Sequence, residues 1–323
     1  MDQTLVQRSL RADDAPAVTE ILAAMERAEP VDEAYSEQDV VEEMTSPGVD
    51  LERGTLAVLD GDRLVAFGAL HVSPPAPAWK AYLWGGVLPE YTRRGIGRQV
   101  VDGLVGMATV MRDAQAPGWP GELKMWIESG RPGTAAVAKA AGFDTWRYFL
   151  RMRRDLREPL FELATPAGVF IRPYRDSDDD AVRLVSNESF ADHWGSTPLD
   201  AARWRAEFAE SSSFRPASSF VATVDGVRDA PVVSFVLTSE FEAETAQRGH
   251  RTGYVARVGT SRAARGRGVA GALLAHALTA LADAGYRHAE LGVDAESPTG
   301  AGRLYERAGF VTITTSRVVG RHI

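Results

Sequence analysis

The chain carries an internal duplication, which restricts it to folds built from two similar domains. In each half, apolar residues with helical spacing follow a Gly-rich loop, at a constant offset of 173 positions. The first stripe comprises Gly97, Val100, Val101, Leu104, Val105 and Ala108. The second comprises Ala270, Leu273, Leu274, Ala277, Leu278 and Leu281. A repeat of this length indicates duplicated domains, because the repeats of solenoid proteins are much shorter.

Each half predicts the same order of elements: a strand, helices, further strands, then strand, loop, helix, strand, helix and strand. Residues 8–14 and 171–179 repeat a basic, Asp-rich entry into a first helix, and residues 140–143 and 307–310 repeat an exit at Gly-Phe. The Pro- and Gly-containing stretch 155–168 separates the copies. The sequence therefore predicts a mixed α/β fold with two tandem domains, residues 1–158 and 159–323.

Composition excludes several kinds of chemistry. The 323 residues include no cysteine, which removes disulfides, thiolate metal sites and any Cys nucleophile, and the six histidines show no ligand pair at helical spacing. The net charge of −8 disfavours nonspecific binding to nucleic acid or to acidic membranes. The chain contains no apolar run of about 18 residues and begins with no secretory signal. We expect a cytoplasmic protein without metal.

The loop of the second half has the features of an anion site. A predicted strand at 254–260 leads into the loop 265–268, and the loop opens directly onto a helix. Backbone N–H groups at a helix N-terminus face outward unpaired, and glycines let the main chain approach a ligand closely. Arg265 and Arg267 add positive charge. These features predict a phosphate-binding loop.

Residues 266–271 also match G-x-G-x-x-G, which leaves a dinucleotide-binding oxidoreductase as an alternative. That fingerprint needs an acidic residue roughly 20 positions further on. Asp294 lies 28 positions after Gly266, and the first copy has Val100 in place of the third glycine. Neither half supplies the parallel βαβ units of a dinucleotide-binding fold, so this alternative is disfavoured.

Two motifs resemble the GNAT superfamily of acetyl-CoA-dependent N-acyltransferases, and specifically its tandem-domain members. The motif (Arg/Gln)-x-x-Gly-x-(Gly/Ala) is met by Arg265, Gly268 and Ala270, and Leu-Tyr-x-x-x-Gly-Phe is met at 304–310. The resemblance covers nearly the whole chain. It implies two GNAT domains, acetyl-CoA as co-substrate, and acetyl transfer to a primary amine of a small molecule by direct attack in a ternary complex.

The resemblance also assigns roles to residues. It places the coenzyme A pyrophosphate on the loop and the thioester beside the preceding strand, where a backbone N–H stabilises the developing oxyanion. Tyr305 takes the position of the general acid that protonates the leaving thiolate, and this role is preferred to the alternative that its ring serves only as core packing. Ser297 stands where many relatives carry Asn. The cofactor-binding residues implied are Val258, Gly259, Thr260, Arg265, Gly266, Arg267, Gly268, Val269, Ala270 and Ser297.

The two halves differ at these positions. Ala138 corresponds to Tyr305, and the loop of the first half begins with Thr92 where the family has Arg or Gln. We therefore expect a catalytic C-terminal domain and a degenerate N-terminal domain. A non-catalytic acyl-CoA-binding sensor or scaffold is the alternative.

The general base and the acceptor are not readable from the sequence. Glu240, Glu242 and Glu244 alternate as on a strand edge, and they suit either a base or, preferably, a solvated acidic face. Residues 190–195 combine Phe, His and Trp, which fits an acceptor pocket and a core cap equally well. We expect His250 to be an exposed loop residue. The oligomeric state is not predicted.

Overall fold

The computed structural model describes residues 5–74, 78–160, 164–224, 230–297 and 300–323. These residues alternate between strands and helices. The strands are β1 (Val6–Arg8), β2 (Thr55–Asp60), β3 (Arg63–Ser73), β4 (Trp79–Val87), β5 (Gly121–Glu128), β6 (Asp144–Asp155), β7 (Val169–Pro173), β8 (Phe220–Val224), β9 (Val232–Ser239), β10 (Thr252–Thr260), β11 (His288–Asp294) and β12 (Val311–His322). The helices are α1 (Ala15–Ala28), α2 (Glu37–Thr45), α3 (Ile96–Gln115), α4 (Pro132–Ala140), α5 (Asp179–Phe190), α6 (Ala201–Trp204), α7 (Glu242–Arg248), α8 (Val269–Asp283) and α9 (Ala301–Arg307).

The chain forms two compact units. Unit 1 comprises Met1–Tyr148 and Thr315–Ile323, and unit 2 comprises Phe149–Thr314. In unit 1 the strands follow the order β1-β2-β3-β4-β5-β12, and in unit 2 the order β6-β11-β10-β9-β8-β7. Both orders mix parallel and antiparallel neighbours, because β4–β5 and β10–β11 are parallel pairs. The predicted mixed α/β fold is confirmed.

The bounds of the units differ from the division predicted at residues 158 and 159. The last part of β12 pairs antiparallel with β5 and belongs to unit 1, whereas residues 149–155 of β6 pair antiparallel with β11 and belong to unit 2. Each compact unit therefore includes a strand segment that the sequence assigned to the other domain. Strand partners this far apart leave no mark on the local sequence pattern.

The duplicated helices begin in the same way. α3 begins after Gly95, whose φ is 82°, and α8 begins after Gly268, whose φ is 79°. Glycine suits both positions because other residues adopt this left-handed conformation only at a conformational cost. α8 buries the predicted stripe, including Leu273, Leu274 and Leu281. The helix predicted from this stripe is confirmed.

The sheet of unit 2 has an apolar core on each face. On one face, α8 packs against a cluster that includes Val255, Leu291 and Val293. On the other face, α5 packs against β9 and β10, and the cluster there includes Val185, Trp204 and Phe235. Successive residues of a strand point to opposite faces, except at the shift in register between Val255 and Arg257, where Ala256 and Arg257 both face α5.

The predicted strand edge at residues 240–244 is wrong. Residues 242–248 form α7, which ends at Gly249 with φ 69°. Within the described ranges, no helix combines the length and apolar character of a membrane span.

Candidate active site

Strands β10 and β11 part in the middle of unit 2. They pair in parallel only where residues 252–254 meet 288–290, although β10 continues to Thr260 and β11 to Asp294. The other edge of β10 stays paired with β9 as far as Thr260, with a shift in register between Val255 and Arg257. In the described part of the chain, β10 therefore has an open backbone edge towards β11 after Tyr254. An extended ligand can pair with that edge.

The predicted cofactor residues Val258, Gly259 and Thr260 lie on this open stretch of β10. Ser234 fixes its far end, since its hydroxyl donates to the Gly259 carbonyl at 2.8 Å and lies 2.7 Å from Thr260 Oγ1. Ser297 follows β11 in a turn, where its backbone N–H donates to the Asp294 carbonyl at 3.1 Å. The three β10 residues are therefore held in place before any ligand binds.

The loop after β10 has the geometry of an anion site. Gly266 and Gly268 have φ of 72° and 79°, and a Cβ added at Gly266 meets no atom within 4 Å. Backbone conformation, rather than space, therefore favours glycine there. The first hydrogen bond within α8 runs from the Ala272 N–H to the Gly268 carbonyl at 3.1 Å. The N–H groups of 269–271 thus have no acceptor within the helix, and they carry the positive end of its dipole.

Arg265 and Arg267 differ in their surroundings. The Arg265 guanidinium donates to the Ser189 carbonyl at 3.1 Å and to the Thr260 carbonyl at 3.3 Å. It therefore fastens the loop to the end of α5 and to the end of β10. Arg267 is exposed on the loop. The loop thus combines backbone donors with two cations beside them, which fits a pyrophosphate.

Tyr305 lies on α9 and packs its ring against the core on the α8 face, 6.1 Å from the Phe310 ring. Burial, with a smaller contribution from neighbouring Tyr254, raises the pKa of its phenol to about 12. Among the described residues, the hydroxyl has no hydrogen-bond partner. The phenol is therefore protonated at neutral pH and is available as a donor.

Tyr254 marks the point where β10 and β11 separate, and the sequence did not single it out as a site residue. Its hydroxyl lies 3.0 Å from the position that a Cβ on Gly292 would occupy. Burial raises the pKa of this phenol, while a hydrogen bond from the Gly292 backbone opposes the rise. A side chain at Gly292 would displace the hydroxyl, so Tyr254 and Gly292 depend on each other.

A buried ionic network borders Tyr254. Glu290 is 1% exposed, and its carboxylate accepts from Arg151 Nε at 2.8 Å and from Arg153 Nε at 2.6 Å. Glu244 lies 3.9 Å from Arg151. Two arginines on β6 and one glutamate on β11 thus form a hydrogen-bonded ionic cluster on the face of the sheet that carries Tyr254.

The three acidic residues considered as a base have separate roles. Glu240 is buried and accepts from Arg251 at 2.7 Å and from the Tyr286 hydroxyl at 2.7 Å, so it is not part of a solvated face. The hydrogen bond from Arg251 lowers the pKa of Glu240 to about 2, which makes it a poor base. Glu242 is 82% exposed, and Glu244 belongs to the network around Glu290.

The aromatic segment after α5 lies against β10. The Arg257 guanidinium lies 4.1 Å from the centroid of the Phe190 ring, and that centroid lies 4.7 Å from the centroid of the His193 ring. Burial lowers the pKa of His193, and Asp294 opposes this shift. The segment therefore lies beside the open strand.

The sequence suggested that His250 is an exposed loop residue, and this is wrong. It is half-buried, and its Nε2 lies 3.0 Å from His288 Nδ1.

Unit 1 repeats this framework without its reactive side chains. β4 and β5 pair in parallel only where residues 79–82 meet 121–124. In this register Trp126 takes the place of Gly292, and its indole donates to Glu128 at 2.7 Å. Ala138, which corresponds to Tyr305, is 1% exposed. The counterpart of the phenol is therefore absent, and an indole stands where unit 2 has only backbone.

The open edge of β10, the glycine loop before α8 and the protonated phenol of Tyr305 fit an acyltransferase that uses a coenzyme A thioester. Residues 17–142 and 180–310 both match the model of the Acetyltransferase (GNAT) family. The chain belongs to this family, and it is an acetyl-CoA-dependent N-acetyltransferase with two GNAT domains. Within the described residues, no group of three or more His, Cys, Asp or Glu side chains is arranged to hold a metal ion.

Relatives of similar length support this assignment. The chain is 35% identical over 309 residues to the mycothiol acetyltransferase of Nocardia farcinica, an alignment that covers 93% of this chain and 92% of the relative. It is 31% identical over 274 residues to the mycothiol acetyltransferase of Acidothermus cellulolyticus, with 80% and 77% covered.

Solved structures share the fold. A GCN5-related N-acetyltransferase from Sphaerobacter thermophilus has a TM-score of 0.74 at 24% identity, with 100% of this chain and 96% of that chain covered. A tandem GNAT protein from the clavulanic acid biosynthesis pathway has a TM-score of 0.73 at 18% identity, with 99% and 98% covered.

Proposed function

We propose that unit 2 transfers the acetyl group of acetyl-CoA to the primary amine of a small molecule by direct attack in a ternary complex. The observation that carries this proposal is the phenol of Tyr305 on α9, which packs against the core on the α8 face and has no hydrogen-bond partner among the described residues. Unit 1 has Ala138 in the corresponding position. A small-molecule acceptor is in keeping with the mycothiol acetyltransferases among the relatives.

Different residues of unit 2 bind different parts of acetyl-CoA. The N–H groups at the start of α8, with Arg267 beside them, hold the pyrophosphate. The open edge of β10 pairs with the extended pantetheine arm and directs an N–H from residues 258–260 at the thioester oxygen. That donor stabilises the negative charge that develops as the amine attacks. Binding both reactants side by side supplies further rate through orientation.

Tyr305 acts on the leaving sulfur. A phenol with a pKa of about 12 keeps its proton throughout the neutral range. Because a thiol has a pKa of about 8.5, complete transfer of that proton to the thiolate is unfavourable, and the phenol stabilises the thiolate chiefly as a hydrogen-bond donor. The burial that raises the pKa also strengthens this hydrogen bond.

Tyr305→Phe tests the proposal. We expect kcat to fall about a hundredfold, with the KM for acetyl-CoA unchanged within about a factor of two, because the hydroxyl is used only as the sulfur departs. Coenzyme A release is measured with a thiol reagent, which the cysteine-free chain does not consume. The first acceptor panel consists of primary amines without a thiol, because a thiol on the acceptor would itself consume the reagent.

Tyr286→Phe is the matched control, since that hydroxyl is bonded to Glu240 away from the loop. It should lower stability and leave kcat unchanged. The same assay with both substrates varied distinguishes direct attack from an acyl-enzyme. Intersecting reciprocal plots are expected, and parallel plots, or an unchanged kcat for Tyr305→Phe across the pH range, would count against the proposed mechanism.

A further inference from the structure

Arg257 is a largely buried cation on β10 that the described residues pair only in part. Its side chain is 16% exposed, and its guanidinium lies 4.1 Å from the Phe190 ring centroid and 5.4 Å from the Phe208 ring centroid. Nε donates to the Ser186 hydroxyl at 2.7 Å. In the described part of the chain, the carboxylate within ion-pair distance is that of Glu207, at 3.8 Å, and Glu207 is itself 51% exposed.

Other buried arginines of unit 2 are paired more closely. Arg172 holds Asp178 through two hydrogen bonds of 2.6 and 2.7 Å, and both side chains are 7% exposed. Arg151 lies 2.7 Å from Glu290, which is 1% exposed. A buried charge needs a partner at hydrogen-bond distance to offset its lost hydration. For the Nη groups of Arg257, the described residues supply no such acceptor, and burial accordingly lowers the pKa of this guanidinium.

The position of Arg257 relates it to the reaction. It follows the shift in register of β10 and directly precedes Val258, the first of the predicted cofactor-binding residues. Its hydrogen bond to Ser186 places its side chain on the α5 face, which also carries Phe190 and His193. The anion loop, in contrast, lies past the end of β10. Arg257 is thus suited to hold the acceptor rather than the pyrophosphate.

We infer that Arg257 binds an anionic group of the acceptor, so that the acceptor is a primary amine that also carries a carboxylate or a phosphate. This inference rests on the proposed function of unit 2. Because Nε is engaged by Ser186, the guanidinium presents Nη1 and Nη2 together, which matches two oxygens of one oxyanion. Phe190 and Phe208 exclude water from the guanidinium and thereby strengthen the pairing.

Matched pairs of amines test the inference on the full chain. The members of each pair differ in the anionic group, and their rates are compared at equal concentrations of unprotonated amine: L-amino acids against their carboxamides, and phosphoethanolamine against ethanolamine. We expect the anionic member of at least one series to have a kcat/KM higher by about tenfold to a hundredfold, as for a hydrogen bond to a charged group. The preferred series identifies carboxylate or phosphate as the group recognised.

Substitutions at Arg257 test whether this residue causes the preference for the anionic amine. Arg257→Gln should abolish it by raising the acceptor KM, with the KM for acetyl-CoA unchanged. Arg257→Lys should keep part of it, because the charge remains and the fork is lost. Arg205→Gln is the control, since that side chain is 48% exposed and pairs with Glu210.

The outcomes that overturn the inference are distinct. Equal kcat/KM within every pair of the unaltered enzyme overturns it, whether or not the variants fold, and leaves the proposed function standing. A raised KM for acetyl-CoA in Arg257→Gln, with the acceptor KM unchanged, also overturns it and assigns Arg257 to coenzyme A. Coenzyme A release with no amine at all would contradict the proposed function and the inference together.

Discussion

Glu240 is the residue through which acid should act most directly on stability. Its carboxylate accepts from Arg251, Tyr286 and Arg215, and the Arg251 hydrogen bond lowers its pKa to about 2. In the unfolded chain the same group titrates near 4.5. Between these values the unfolded chain binds a proton that the folded chain does not. The stabilisation is therefore complete above pH 4.5 and is lost as the pH falls towards 2.

Glu240→Gln should flatten this pH dependence. The wild type should lose at most about 3.5 kcal/mol of unfolding free energy through this group on acidification, since each unit of pKa difference corresponds to about 1.4 kcal/mol. The variant should be less stable than the wild type at pH 7, and the difference should narrow as the pH falls to 3. Urea denaturation at several pH values measures both.

Glu242→Gln is the matched control, because Glu242 contacts Arg215 but is 82% exposed. Its pH profile should follow that of the wild type. Parallel profiles for Glu240→Gln and the wild type would show that the ion pair does not carry the acid sensitivity.

The candidate residues that the sequence could single out are those that belong to short motifs, as the loop glycines and Tyr305 do. Their roles in binding and catalysis stay predictions. Tyr254 and Arg257 belong to no such motif. Their importance comes from the end of the β10–β11 pairing and the shift in register, and neither leaves a local sequence signal.

The two loop-to-helix elements permit a test of which unit binds the coenzyme. Gly268 and Gly95 have nearly the same left-handed φ, so an Ala at either position brings similar backbone strain. Gly268→Ala should misalign the N–H groups of α8 and raise the KM for acetyl-CoA about tenfold, the effect of about 1.4 kcal/mol in binding. Initial rates at varied acetyl-CoA measure this.

Gly95→Ala should lower thermal stability about as much as Gly268→Ala does, because the two substitutions bring similar backbone strain. It should leave the kinetic constants within about a factor of two, because unit 1 lacks the phenol. Equal kinetic losses in the two variants would assign a working site to each unit. Unchanged kinetics in both would remove the loop from cofactor binding.

Helices were predictable from the sequence where apolar residues recur with helical spacing, and they were missed where such spacing is absent. α8 and α3 follow their stripes, whereas α7 contains mainly polar residues, and the alternation of Glu240, Glu242 and Glu244 suggested a strand. β6 was expected as a strand and is one, but its partner was not foreseen. Its pairing with β11 joins Arg153 to Glu290, and no local pattern encodes contacts over such a separation.

At the scale of the whole molecule, each compact unit includes a strand segment from the other half of the sequence. These segments determine where the chain can be cut into fragments that fold. A fragment of residues 159–323 lacks the β6 segment that pairs with β11, and it leaves Glu290 without Arg151 and Arg153. Removing the partners of a buried charge destabilises a protein by about 3–5 kcal/mol, a large part of the stability of a typical domain.

We therefore expect residues 149–314 to fold alone and residues 159–323 to fail. The first fragment should show one cooperative urea transition and native near-ultraviolet dichroism, because it retains every strand of unit 2, from β6 to β11, that supports the site. The second should be unfolded or insoluble, although it contains the whole predicted domain.

Adding Glu290→Gln to the second fragment tests whether it fails because of the Glu290 charge or because of the missing strand. Arg248 remains 3.7 Å from Glu290 in this fragment. Partial recovery would therefore identify the loss of the two β6 arginines from the carboxylate as the main defect, and no recovery would identify the missing strand. A cooperative, stable 159–323 fragment would show that the sequence division, rather than the compact unit, defines the folding unit.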